Sequence, residues 1–324
     1  MKAIEFHSCL AAKLQRFVDL RRLAGSDYEG QARLLGYFDR FLEKRGVTEP
    51  RLTREITEAY QQTLGQLQPR TQDNRCGVVR QFCEYVSRTE PQCHIPERGR
   101  RIRSQNTRCP HIYSVSEVQG LLAAASQLPP PNSLRPDTYR TLLGLLYSTG
   151  IRIGEALALK LEDFHREEQA LYVGEGKFRK ARWVSLSGTT SDALSQYVER
   201  RQQIGSCEAD SPLFLNRRGR RLPPTTVHCT FRHLLSQCGI SRHRDSGPRI
   251  HDLRHTFAVH RLLAWYRDGQ DVNARLPWLA TYLGHVNIQS TQVYLHATAE
   301  LLEQVDQRFH RHYLQRVKSR GGHA

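Results

Sequence analysis

The sequence predicts a mainly α protein in two parts: an N-terminal helical bundle, then a mixed, largely helical domain with a small antiparallel β-sheet. Three observations carry this. Apolar residues recur at helical spacing through the first 95 or so residues. A basic segment without acidic residues divides the chain near residue 100. Two short strand-like runs bracket a glycine- and lysine-bearing turn in the otherwise helical second part. A length of 324 residues suits two domains.

Leu10, Leu14, Phe17 and Val18 mark a first helix, and Leu34, Leu35, Phe38 and Leu42 a second that stops near Gly46. Thr53 opens a third, which runs past Ile56 toward Leu67 and is broken by Pro69. Thr71 to Val86 supplies a fourth, with Val78, Val79, Phe82 and Val86 on one face. Four short helices make a small bundle over residues 1–97. Residues 98–112 read as a linker, because Arg98, Arg100, Arg101, Arg103 and Arg108 repel one another and resist packing. The same arginines suit a tether that crosses a phosphate backbone.

The second domain spans residues 113–324. Ser114 with Glu117 reads as a helix cap leading into Leu121, Leu122 and Ala125, and Pro129 to Pro131 ends that helix. Thr138 to Ser148 forms a strongly apolar helix halted by Gly150, and a new helix starts around Ile153. Residues 170–173 and 181–186 read as strands flanking the 174–180 turn. Helices dominate again from Thr225, with a break expected at Pro277. No internal repeat or low-complexity tract interrupts the pattern.

The formal net charge is +16, from 48 Lys and Arg against 32 Asp and Glu, which makes nucleic acid the default partner. The excess is +7 through residue 109 and +9 beyond it, so it is shared between the two parts and not held in a tail. No apolar run approaches the ~18–20 residues that span a bilayer, and Met1 to Leu20 lacks the apolar core of a secretory signal. The eight cysteines include no Cys-x-x-Cys pair, which argues against a zinc finger or a disulfide scaffold. Cys93-His94 with Cys109 is a poor match to metal-ligand spacing. A reduced, cytoplasmic protein without membrane partners is expected.

The residues suited to chemistry fall in separate blocks. In Ser148-Thr-Gly-Ile-Arg152, the glycine permits a sharp turn and Arg152 follows at a helix start, where a guanidinium can fork onto a phosphate. Glu155, one turn along, suits the orientation of a basic side chain; in isolation the two would be an ordinary surface pair. Lys177 and Lys180 in the hairpin carry little weight alone. His251-Asp-Leu-Arg-His255 allows two readings. Histidines four apart on a helix can bind zinc, although Arg254 between them disfavours a dication. Alternatively His251 and Arg254 share a helical face and reach one phosphate. Leu283-Gly-His285 reads as a turn or helix start, and Tyr294 follows nine residues later. Together these cations, histidines and a tyrosine nucleophile compose a phosphoryl-transfer site.

In these blocks the chain resembles the tyrosine recombinases, the phage integrase family. Arg152 lies in the family's Thr-Gly-x-Arg-x-x-Glu block. His251, Leu253, Arg254 and His255 match its His-x-Leu-Arg-His block, Leu283 to His285 its Leu-Gly-His block, and Tyr294 its nucleophile. Lys177 falls on the hairpin lysine, within Gly-Lys-x-x-Lys-x-Arg. Ser185 stands where a proline often follows the hairpin's valine. The layout is most similar to the simple Xer-type enzymes, without a separate arm-binding domain, and the first bundle is similar to the family's SAM-like core-binding domain.

The resemblance implies a DNA strand transferase that forms a 3'-phosphotyrosyl link through Tyr294. Arg152, Arg254 and His285 would hold the scissile phosphate, His251 would accept the tyrosine proton and Lys177 would protonate the leaving 5'-oxygen. Glu155 and His255 would support them. It further implies no metal and no cofactor, and a double-stranded DNA recombination site as substrate. The implied assembly is a homotetramer on DNA, or a mixed assembly with related recombinases. The apolar stripe Leu301, Leu302, Val305 and Phe309, continued at Tyr313 and Leu314, would close its own core or dock on a neighbouring subunit. An accessory DNA-binding protein without strand exchange, a type IB topoisomerase-like relaxing activity and a zinc enzyme are the alternatives.

Overall fold

The computed structural model describes residues 4–97, 110–174, 181–204, 206–240 and 247–285. The chain divides into two compact units, Met1–Thr107 and Arg108–Ala324. The basic arginines 98 to 108 and the stripe from Leu301 to Leu314 lie outside the described residues.

The first unit contains α1 (Ala11–Leu23), α2 (Glu29–Lys44), α3 (Arg54–Thr63) and α4 (Pro69–Val86). Their apolar stripes meet in one core of Leu14, Phe17, Leu35, Phe38, Leu42, Val79, Phe82 and Val86, all no more than 2% exposed. Phe17 sets its ring edge-on to Tyr28 and to Phe82, each at 5.7 Å. Thr53 caps α3 by accepting the Ile56 N–H at 3.3 Å. Pro69 takes the first position of α4, where a missing N–H leaves no intrahelical bond unmade, so the helix begins two residues earlier than Thr71. Buried Asp39 accepts the N–H groups of His7 (2.8 Å) and Ser8 (3.1 Å), tying down the segment before α1.

In the second unit, α5 (Val115–Ser126) begins with the Ser114–Glu117 capping box. Ser133 caps α6 (Leu134–Thr149), so it opens a turn before Thr138. This helix is the centre of the unit. Its Leu142, Leu143, Leu145 and Leu146 are at most 2% exposed, and it packs against α5, α8 (Gly188–Gln202) and α10 (Asp252–Arg267). The remaining α-helices among the described residues are α7 (Ile153–Ala158), α9 (Pro224–Gln237) and α11 (Val272–Leu283).

An antiparallel sheet of order β1-β2-β3 is formed by Phe164–His165, Ala170–Val173 and Arg182–Ser185. Leu171 pairs with Val184 and Val173 with Arg182. Leu171, Val173 and Val184 are buried on one face, while Tyr172 and Trp183 stand exposed on the other. Ser185 pairs with Ala170 in the regular register, so the residue in the proline's place continues the ladder.

Two elements carry weak sequence signals. The two-residue β1 is too short for an alternating pattern. The inner face of α8 is built of Ser191, Leu194, Ser195, Tyr197 and Arg201, only two of them apolar in character, so little helical periodicity shows. The break expected at Pro277 does not occur, and α11 runs through it. The proline, sixth of the helix's twelve residues, removes a single backbone bond, and the helix survives because Asp271 caps its start and Leu276, Leu279, Ala280 and Leu283 bury one face. Among the described residues no helix is long and apolar enough to cross a membrane.

Candidate active site

Helix ends set each side chain of the site. α6 stops at Gly150, whose φ of +64° is the left-handed cap conformation. A Cβ there would lie 2.5 Å from Phe257 Cδ1, so both conformation and space require glycine. The chain passes through buried Ile151 and enters α7, with Arg152 immediately before the first turn. The Arg152 N–H donates to Glu155 Oε2 at 3.0 Å, and its Nη1 donates to Oε1 at 2.7 Å.

The start of α10 is clamped. Tyr113 donates its hydroxyl to the Arg249 carbonyl and its N–H to Thr256 Oγ1, both at 3.0 Å. Buried Asp252 accepts the Arg249 N–H (2.9 Å) and its Nη2 (3.0 Å). His251 therefore precedes a fixed helix, and Arg254 points inward from the first turn with 3% exposure.

α11 ends at Gly284, with φ +68° and the His285 N–H returning to the Ala280 carbonyl at 2.9 Å. Three successive carbonyls at this end are each held by a different arginine. Arg182 Nε donates to Tyr282 O (2.8 Å), Arg254 Nη2 to Leu283 O (2.7 Å) and Arg152 Nη2 to Gly284 O (3.1 Å). Arg254 Nη1 also donates to Gly150 O at 2.8 Å, so it ties the ends of α6 and α11 together. Helix C-termini carry excess negative charge, and guanidinium groups there satisfy carbonyls that have no intrahelical donor.

Burial lowers the pKa of all three histidines of the site. His285 is lowered to about 4, first by burial and then by Arg254 and Arg152. His251 is likewise lowered to about 4 by burial, then by His255 and Arg254, although the solvent reaching its exposed edge moderates the effect. His255 is lowered by burial, and its ring meets that of His251 edge-on at 5.1 Å. Burial alone would raise the Glu155 carboxyl, but hydrogen bonds from Arg182 and Arg152 overcome this and hold it at about 2.

The structure thus joins Arg152, Glu155 and Arg254 to the helix end that His285 follows, with the His251–His255 ring pair on the helix that supplies Arg254. Lys177 and Tyr294 lie outside the described residues. Among the described residues, no three His, Cys, Asp or Glu side chains are grouped to hold a metal ion. Sequence reasoning gave no role to Arg182. Strand alternation carried the signal, since Arg182 shares its face with buried Val184.

Residues 114–300 match the model of the phage integrase family. The chain is 37% identical over 309 residues to a Sinorhizobium fredii protein named as integrase/recombinase y4rB, covering 94% of this chain and 98% of that one. It is 33% identical over 275 residues to the tyrosine recombinase XerD of Caulobacter vibrioides, covering 83% and 85%. Among solved structures, the Tn1549 transposon integrase in complex with a circular intermediate DNA shares the fold, with TM-score 0.66 and 16% identity over 92% of this chain and 99% of that one. Fold and site define a class of metal-independent DNA strand transferases that work through a tyrosine. The chain belongs to the phage integrase family and is a tyrosine recombinase.

Proposed function

We propose that the protein cuts and rejoins a specific double-stranded DNA site, with Tyr294 as nucleophile. The observation that carries this reading is the grip of Arg182, Arg254 and Arg152 on three successive carbonyls before His285, which gathers two phosphate-binding guanidiniums and a neutral imidazole in one place. The Tyr294 Oη attacks the scissile phosphorus, its proton passes to neutral His251, and the bond to the 5'-oxygen breaks as Lys177 protonates that oxygen. A free tyrosine has a pKa near ~10, so a neutral base and flanking cations are needed at pH 7. Arg152 and Arg254 stabilise the charge that develops on the non-bridging oxygens, and His285 donates to the same group. A second strand's 5'-hydroxyl then attacks the phosphotyrosine and releases the enzyme. Each step exchanges one phosphate ester for another, so neither metal nor nucleotide is called for.

In this reading residues 1–97 and 113–324 both bind the duplex, and Arg98, Arg100, Arg101, Arg103 and Arg108 bind its phosphate backbone. Exchange between two duplexes takes four active sites, hence a homotetramer on DNA or a mixed assembly with related recombinases, working in the cytoplasm. A groove of about 710 Å³ lined by Tyr147, Phe257, Trp265, Trp278 and Tyr282 offers an aromatic acceptor for the Leu301–Phe309 stripe of a neighbouring copy. A nicked suicide substrate tests the reading. The protein should form a covalent adduct, and Tyr294→Phe should bind the site without forming one. An adduct with the Phe variant overturns the nucleophile assignment. Relaxation of supercoiled plasmid without recombinants favours the topoisomerase-like alternative.

A further inference from the structure

We propose that Arg182 is a positioning residue of the cleavage site: it offsets the charge of Glu155 so that Arg152 keeps a full positive charge for the phosphate, and it fixes the end of the helix that presents His285. The proposal rests on the strand-transfer reading of the site.

The charge argument starts from Glu155. Its side chain is 5% exposed, and a carboxylate so deeply buried needs a cation. If Arg152 were the only one, the pair would be neutral and Arg152 would meet a phosphate with its charge already spent. Arg182 changes this. Its Nη1 donates to Glu155 Oε1 at 3.3 Å and its Nη2 to Oε2 at 2.9 Å, a two-point fork onto the carboxylate that Arg152 also holds. Two guanidiniums and one carboxylate leave a net single positive charge. Arg182 is the deeper of the two, with a side chain 11% exposed against 25% for Arg152. The surplus charge therefore faces outward through Arg152.

The geometric argument uses the remaining donor. Arg182 Nε holds the Tyr282 carbonyl at 2.8 Å, two residues before Gly284. A Cβ on Gly284 would come 2.9 Å from Arg182 Nη1, so the glycine and the guanidinium fit against each other. Arg182 also opens β3, five residues after Lys177 in the chain. One side chain thus ties the strand following the hairpin lysine to the helix start that bears Arg152 and to the helix end that presents His285.

The test uses single-turnover cleavage of a nicked duplex by the full chain, with site binding measured in parallel. Arg182→Met should slow cleavage about 100-fold while leaving Kd within about threefold, because the interaction is made for the transition state. Arg182→Lys, which keeps the charge without the fork, should recover about tenfold. The Arg182→Met/Glu155→Gln double variant should also recover about tenfold over Arg182→Met, since it removes the carboxylate that would otherwise neutralise Arg152. A purely structural role predicts that the second substitution adds to the damage. The double variant lacks the buried carboxylate, so it keeps the test open if Arg182→Met does not fold. The proposal is overturned if Arg182→Met cleaves within about threefold of the parent, or if neither charge-restoring variant regains rate. Absence of adduct from the parent protein itself would instead overturn the strand-transfer reading.

Discussion

Two regions of the second unit bury arginine in opposite ways. Arg201 in α8 is fully buried, and its guanidinium donates to the loop that follows: to the carbonyls of Ser206, Pro212 and Leu213 and the hydroxyl of Ser211, at 2.6–3.2 Å. Among the described residues no carboxylate balances it, and burial lowers its pKa. At the candidate site, Arg254, Arg182 and Arg152 also donate to carbonyls, but those carbonyls belong to the ends of two helices distant in sequence, and Glu155 joins two of the three. The first arrangement fastens a local loop. The second assembles a site from α6, α7, β3, α10 and α11 and leaves it with net positive charge. Burial of a cation is therefore no sign of function by itself. What distinguishes the two is the reach of the hydrogen bonds and the presence of a shared carboxylate.

The largest expected effect separates the regions directly. Arg254→Lys keeps the charge but cannot reach both Gly150 O and Leu283 O, so suicide-substrate cleavage should fall about 1,000-fold with site binding retained. Arg201→Met should do the reverse. It leaves buried carbonyls unpaired, so urea denaturation should show a loss of about 3 kcal/mol. Cleavage per folded molecule, measured well below the new midpoint, should be unchanged. A slowed reaction in folded Arg201→Met would erase the distinction between the regions.

Acid sharpens the same contrast. The Glu155 carboxyl is depressed from 4.5 to about 2, so its stabilisation is complete above 4.5 and is lost as pH falls toward 2. That shift corresponds to about 3 kcal/mol. The destabilisation caused by Glu155→Gln should accordingly be greatest near pH 7 and shrink through this window. His285 and His255 are depressed below 6.5, so the unfolded chain takes up their protons first and stability also declines from pH 6.5 downward. The hydrogen bonds of Arg201 involve only carbonyls and a hydroxyl, and the cost of Arg201→Met should stay flat over the same range. Denaturation series at several pH values check all of this.

The legibility of the sequence follows the same division. Helices with an apolar stripe, such as α2 and α6, show in the periodicity, and Gly150 announces a helix end because only glycine suits its φ and its close approach to Phe257. Arg152, Glu155, Arg254 and His285 fall in blocks of recognisable spacing, and the structure ties the first three to the helix end just before His285. Strand alternation marks Arg182 as facing inward, but its role escaped because its partners Glu155 and Tyr282 lie 27 and 100 residues away. α8 escaped because its inner face is polar, and its buried arginine answers to a loop with no periodicity. Pro277 misled because the weight of a mid-helix breaker depends on how the helix is capped and on what it buries.

The smallest effects belong to a third group of arginines, which serve neither fastening nor assembly. Arg217, Arg218 and Arg220 are exposed on a tight turn whose backbone is fixed by Asn216: its Oδ1 accepts the N–H groups of Arg218 (2.8 Å) and Arg220 (3.2 Å), and Gly219 takes φ +67°. The next residue, Arg221, anchors the turn by donating to the Leu157 carbonyl at 2.8 Å, at the far end of the helix that begins after Arg152. Like charges so close repel, and the turn is held by its backbone and by Asn216, not by the three guanidiniums. Replacing all three with glutamine should therefore leave stability within about 0.5 kcal/mol of the parent. Cleavage at saturating protein should also be unchanged, because none of the three touches the network of Arg152, Glu155, Arg182 and Arg254. The affinity for duplex DNA should show the change instead, its log–log salt slope flattening by about 0.9 for each phosphate that the protein no longer neutralises. An unaltered slope would mean that this turn faces away from the duplex and that the charge gripping DNA from this unit lies elsewhere.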